Sequence, residues 1–261
     1  MGRKRNSALR KEQEYFSMVT NKQNHIYHQK NDDRRTSNTI SFVQPKQRRN
    51  VDLVPKSLNQ EGYILALKDE NTDVVVATGP AGTGKTYIAM VAGIQALRSG
   101  IVEKLVLTRP AVGVDDEKHG FLPGDLNAKM EPWTRPLIDV LREYYSGKEV
   151  EGLLEDGVIE ISPLAFMRGR TFKNSWIILD EGQNATPSQI KMLLTRIGIG
   201  SKIVITGDVE QTDRKRLDNG LLDLEDRLKQ SQTPRMELCR FDLKDVQRHP
   251  IIEHVIRLYS Q

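Results

Sequence analysis

Eight residues constrain this chain more than any others: Gly79-Pro80-Ala81-Gly82-Thr83-Gly84-Lys85-Thr86. They lie between a β-branched run, Val74–Thr78, and an apolar-faced helical pattern over Lys85–Arg98. Strand, glycine-rich loop and helix form the setting in which G-x-x-x-x-G-K-[ST] binds phosphate. The glycines let the backbone curl until successive N–H groups converge on phosphate oxygens, and the helix amino terminus adds its positive dipole end. Lys85 is then expected to reach the β and γ phosphates of a bound nucleotide, and Thr86 to offer a hydroxyl to Mg²⁺. The alternative is an ordinary glycine-rich turn, which the flanking strand and helix argue against.

A second half-site fits the first. Trp176-Ile177-Ile178-Leu179-Asp180-Glu181 is an apolar strand closed by two acids, the Walker B pattern. Asp180 is expected to hold Mg²⁺, directly or through water, and Glu181 to orient or deprotonate the attacking water. Consecutive strand residues face opposite ways, so the strand itself is expected to divide these roles between the two carboxylates. A third apolar run, Lys202–Thr206, ends in Gly207-Asp208-Val209-Glu210-Gln211, where a polar group can sense the γ-phosphate.

Around these motifs, short apolar runs alternate with helical patterns. Strands are expected at Val74–Thr78, Lys104–Thr108, Val158–Ile161, Trp176–Asp180, Lys202–Thr206 and Met236–Arg240. Helices are expected at Asn59–Leu67, Lys85–Arg98, Asn127–Tyr145, Pro187–Arg196, Leu217–Lys229 and Asp245–Tyr259. Buried strands joined by helices predict an α/β fold, a mainly parallel sheet with helices on both faces. Residues 51–261 suffice for one such domain.

Residues 1–50 read differently. They hold 12 Lys/Arg against 4 Asp/Glu, which leaves 27 against 31 in residues 51–261. The formal charge of +4 is therefore an average of a +8 arm and a −4 domain. The arm is rich in Asn, Gln, Ser and Arg without sustained periodicity, so it is expected to be disordered. Its clusters, Arg3-Lys4-Arg5, Arg34-Arg35 and Lys46 with Arg48-Arg49, suit nucleic-acid phosphates. A solubilising tail has the same composition, and charge alone does not separate the two.

Several chemistries find no support. No apolar run reaches the ~18 residues of a membrane span, and the first residues lack the apolar stretch of a signal peptide. Cys239 stands alone, which excludes an internal disulfide and fits a reducing cytoplasm. His25 and His28 lie in the polar arm without supporting ligands. No serine or cysteine sits beside a convincing base, so acyl transfer is not expected. Trp133 and Trp176 read as packing residues, and Tyr144-Tyr145 as core or interface.

Asp180-Glu181-Gly182-Gln183-Asn184 followed by Gly207-Asp208-x-x-Gln211 resembles motifs II and III of superfamily 1 helicases. Longer stretches resemble the PhoH family more closely: Leu107–Val112, Gly120–Leu126, Pro163–Thr171, Leu194–Gly198 and Asp245–Pro250. The resemblance runs from about Pro55 to Tyr259, and Gly182 departs from the usual alanine. It implies a P-loop NTPase of RecA-like fold, ATP and Mg²⁺ as cofactors, ATPase activity and, as a further implication, RNA helicase function.

The resemblance also implies individual roles. Leu58-Asn59-Gln60 is similar to a Q-motif, in which Gln60 reads the adenine edge; on residues alone, Asn59 as a helix cap is the simpler reading. Gln211 is expected at the γ-phosphate. Arg248 resembles an arginine finger serving a neighbouring subunit's site, with a salt bridge to Asp245 as the alternative. Arg109 contacts nucleic acid or organises the site, and Arg168 and Arg170 are loop arginines, either solvated or facing RNA. Family relatives are associated with phosphate starvation.

Superfamily 1 helicases place ATP between two RecA-like domains, and this sequence has room for one. A ring-like homo-oligomer, a hexamer, is the economical way to complete the site. Some family members carry a PIN nuclease domain ahead of the ATPase; residues 1–50 lack its acids, so no nuclease activity is expected. Two functions remain open: an ATPase acting on RNA or single-stranded DNA, and a nucleotide-switched assembly module that regulates a protein partner.

Overall fold

The computed structural model describes residues 50–110, 126–211, 218–231 and 233–247, with backbone alone for 126–133. The basic arm up to Arg49, the Gly120–Asp125 stretch, the Trp133 side chain and everything from Arg248 onward lie outside the described residues.

Six strands form one parallel sheet: β1 (Val74–Thr78), β2 (Lys104–Arg109), β3 (Ile159–Pro163), β4 (Ser175–Leu179), β5 (Lys202–Gly207) and β6 (Met236–Arg240). Their order is β3-β2-β4-β5-β1-β6, and each neighbouring pair runs parallel. The expected α/β architecture is thus the one observed. The strand β5 separates the phosphate-loop strand β1 from the acid-bearing strand β4, and this places the end of β5 between the two half-sites.

Strand alternation divides the core. Val75, Ala77, Leu105, Leu107, Trp176 and Ile178 face one side, and Val74, Val76, Val106, Ile177, Leu179, Ile203 and Ile205 face the other. The first face is covered by α1 (Leu58–Lys68), α2 (Lys85–Arg98), α3 (Leu126–Tyr144) and α4 (Gly147–Glu155). Tyr63, Leu67, Met90, Ile94 and Leu141 are fully buried there. The second face is covered by α5 (Pro187–Leu194) and α6 (Gly220–Gln230), through Ile190, Leu193, Leu221 and Leu224. Side chains enclosed on both faces leave the strands continuously apolar. Gly93 lets α2 lie close to the sheet: a Cβ there would stand 2.7 Å from Trp176 Cδ1.

Local chemistry sets the helix ends. Ser57, not Asn59, caps α1, its side chain accepting from Gln60 N at 3.2 Å. At the other end Lys202 Nζ donates to Leu67 O and Asp69 O, both at 2.8 Å. Burial draws the Lys202 ammonium down to about 8. Thr186 and Gln189 form a capping box at α5, with Pro187 opening the helix.

Some expectations are corrected. Helix α4 is absent from the expected set because its nine residues carry few apolar side chains; its capping box, Ser146 with Glu149, is the local signal for it. The helix expected from Asp245 does not begin there: Asp245 ends a 3₁₀ turn over Leu243–Asp245, and Val246 is extended. Arg170 is not a solvated loop arginine. It donates to both oxygens of Glu160, whose Oε2 also lies 2.7 Å from Lys104 Nζ, and it stacks over Phe172. Burial works to raise the Glu160 carboxyl, but the hydrogen bonds from Arg170 and Lys104 outweigh it and hold the group at about 2. Arg168 remains exposed.

Candidate active site

The loop after β1 is built on left-handed backbone. Gly79, Gly82 and Gly84 have φ of 136°, 85° and 84°, values that glycine adopts without steric cost. Helix α2 starts directly at Lys85, with Gly84 as its N-cap and no side chain capping it. Its first N–H groups therefore have no intrahelical partner and form the anion-binding end of the helix.

The loop is braced from behind. Gln60 Nε2 donates to Thr83 O at 3.0 Å, and Gln60 Oε1 accepts from Lys56 N at 2.8 Å. The Tyr63 hydroxyl donates to Lys85 O at 3.3 Å; burial, with the nearby Cys239 and Asp180, raises its pKa well above the usual value. Phe241 N donates to Thr78 O at 2.8 Å, and Gln247 N donates to Gly82 O at 2.9 Å. The segment after β6 thus lies along the loop. Asp245 anchors that segment, its Oδ2 accepting from Asn59 Nδ2 at 2.7 Å. Burial pushes the Asp245 carboxyl up, but hydrogen bonds from Asn59 and Ser57 carry it below its ordinary range.

In front of the loop, Lys85 Nζ donates to Gly79 O at 2.6 Å, Pro80 O at 2.7 Å and Thr83 Oγ1 at 3.2 Å. Thr86 Oγ1 donates to Asp180 Oδ1 at 2.7 Å, and Thr206 Oγ1, at the end of β5, reaches the same oxygen at 3.0 Å. Two hydroxyls and a carboxylate, 94 and 120 residues apart along the chain, meet here. Oxygen donors of this kind suit a hard divalent cation such as Mg²⁺.

Glu181 sits beside them with φ 54° and ψ 43°. β4 ends at Leu179, so strand alternation does not separate the two acids as expected; the left-handed turn at Glu181 does. Its Oε1 lies 3.3 Å from Arg109 Nη2, and its Oε2 accepts from Gln183 Nε2. Gln183 Oε1 in turn accepts from Asp208 N at 3.1 Å, and Gln211 N donates to Asp208 O at 3.1 Å.

Ala81, Gly82, Gly84, Lys85, Thr86, Asp180, Glu181 and Gln211 line one cavity of about 250 Å³, together with Tyr87, Gly207 and Asp208. Of the other site residues expected from sequence, Gly79, Pro80, Thr83 and Gln60 support the loop, and Arg248 lies outside the described residues. Thr206 and Gln183 were missed as site residues. A hydroxyl at the end of the third strand was the available signal for Thr206, and nothing in the sequence marked the link from Gln183 to Asp208.

The family model described as PhoH-like protein matches residues 52–260. The chain belongs to the PhoH-like family. A PhoH-like protein of Bacillus subtilis is 46% identical over 79% of this chain and 63% of its own length. One from Synechocystis is 44% identical over 84% of this chain and 66% of its own length. Protein PhoH of Escherichia coli is 37% identical over 76% of this chain and 55% of its own length. The PhoH-like chain thus spans between about half and two thirds of each of these relatives. A Sulfolobus solfataricus SWI2/SNF2 ATPase core in complex with dsDNA is a more distant likeness: TM-score 0.39, 15% identity, 67% of this chain and 36% of that one. The parallel sheet order β3-β2-β4-β5-β1-β6, with the glycine loop running from β1 into helix α2, is by itself that of a RecA-like P-loop NTPase fold.

Gly182 also has a local reason in this PhoH-like chain. A Cβ there would lie 2.9 Å from Ile205 Cγ2, so the glycine leaves room for the β5 side chain. Among the described residues no helix is long and apolar enough to cross a membrane, and no cluster of three His, Cys, Asp or Glu side chains is placed to hold a metal.

Proposed function

We propose that the chain is a cytoplasmic Mg²⁺-dependent ATPase whose hydrolysis is coupled to binding and remodelling of RNA or single-stranded DNA. The observation that carries this reading is the meeting of Thr86, Asp180 and Thr206 oxygens beside the Lys85 loop, with Glu181 on the same cavity. When bound, Mg²⁺ supplies charge neutralisation at the β and γ phosphates, and Thr86 and Asp180 are the residues that would hold it.

Lys85 and the α2 amino terminus bind the phosphates, and Gln60 keeps the loop in place while serving the adenine side. Glu181 takes a proton from the attacking water. Gln211, which lines the same cavity, contacts the γ-phosphate in this reading. Arg248 acts as a finger in a neighbouring subunit's site, within a ring-like homo-oligomer that we take to be a hexamer. The basic arm, residues 1–50, supplies nucleic-acid attraction that the −4 domain does not.

ATPase rates of the full chain with RNA, single-stranded DNA and duplex DNA test the coupling. RNA is expected to raise the rate, and removal of residues 1–50 to weaken that gain. Equal rates across the panel would instead support a nucleotide-switched module acting on a protein partner.

A further inference from the structure

Both oxygens of the Glu181 carboxylate are held by side chains of its own chain, Oε1 by Arg109 and Oε2 by Gln183. The backbone at Glu181 lies in the left-handed region, at φ 54° and ψ 43°. The two holds differ in kind. Gln183 is 2% exposed and tied through its other amide atom to Asp208 N, which makes it a fixed brace.

Arg109 stands at the carboxyl end of β2, beside β4, and its side chain is 28% exposed against 37% for Glu181. A pair this open is weak and is weakened further by competing ions. A guanidinium presents parallel donors that match a phosphate as well as a carboxylate.

We propose that Arg109 is a positioning residue that restrains Glu181, and that a phosphodiester chain competing for its guanidinium releases the carboxylate to act on water. The inference rests on the reading of Glu181 as the general base. Exchange of one anion for another beside Arg109 keeps the guanidinium paired while the carboxylate is set free. Nucleic acid thereby acts on the hydrolytic step without touching ATP.

The test is steady-state ATP turnover by the full chain, with and without poly(U), for wild type, Arg109→Ala and Arg109→Lys. Arg109→Ala is expected to raise the polymer-free kcat about two- to fivefold, the range set by an exposed ion pair. KM for ATP should stay near wild type, and poly(U) should add little further. Arg109→Lys, which keeps a cation beside Glu181, should restore most of the restraint. Arg109→Gln repeats the measurement with a side chain of similar reach and no charge, separating loss of the pair from loss of fold.

An unchanged or lower kcat in both Arg109→Ala and Arg109→Gln overturns the inference. So does a poly(U) response in these variants as large as that of wild type, or a wild type that poly(U) does not stimulate. Glu181→Gln distinguishes the two levels of the argument. If it turns over ATP at the wild-type rate, the base assignment fails and this inference with it. If it is inactive while the uncharged Arg109 variants match wild type, the inference alone fails.

Discussion

Glu181→Gln is expected to lower ATP turnover by about 10²–10⁴-fold, the usual contribution of a positioned general base. Affinity for ATP should be kept, because the Glu181 carboxylate is held by Arg109 and Gln183, which belong neither to the phosphate loop nor to the Thr86–Asp180–Thr206 cluster. Glutamine retains the length and one oxygen of the side chain but not its capacity to take a proton. Single-turnover hydrolysis measured beside equilibrium binding of a fluorescent ATP analogue separates the two effects. Loss of binding in step with hydrolysis would place Glu181 in the binding machinery instead.

Gly79→Ala should be the most damaging single methyl group in the described structure. Gly79 has φ 136°, and a Cβ there would lie 2.3 Å from the carbonyl oxygen of Phe241. That oxygen belongs to the backbone after β6, held by Phe241 N on Thr78 O, so it has little freedom to withdraw. Positive φ and overpacking together cost about 3–5 kcal/mol. For a domain of this size that corresponds to a fall in Tm of roughly 6–20 °C. ATP binding should weaken as well, since Gly79 O and Pro80 O both accept from Lys85 Nζ. Thermal melting with and without ATP reads both effects, and an unchanged Tm would show that the strap after β6 yields to the methyl group.

These expectations show which parts of the site the sequence makes legible. The phosphate loop is local: its glycines, Lys85 and Thr86 follow one another, and helix α2 begins at Lys85 as the motif requires. Asp180 is legible for the same reason, as the first acid after an apolar strand. Thr206 is not, because its role comes from β5 lying between β1 and β4, a matter of strand order. Asn59 and Asp245 are 186 residues apart, so the anchor they form has no local sign, and the simpler reading of Asn59 as a cap was wrong.

Glu181 is a mixed case. Its identity is plain from the motif, but the expected division of labour from strand alternation is replaced by a left-handed turn that begins after β4 has ended. Arg170 shows the limit of reading charge. In sequence it is one basic residue in a loop, whereas in the fold it neutralises Glu160, a strand residue whose position depends on β3 pairing with β2. A carboxylate at that depth requires a partner.

The most direct test of the account is ATP hydrolysis by Lys85→Ala against wild type, with Mg²⁺ present and nucleotide binding measured on the same preparations. Lys85 is the side chain that the loop geometry assigns to the phosphates, and its removal is expected to cost about 10²–10³-fold in turnover. Wild type is expected to hydrolyse ATP, and Lys85→Ala to lose that activity. Hydrolysis by Lys85→Ala at the wild-type rate would contradict it, because ATP would then react somewhere other than this loop.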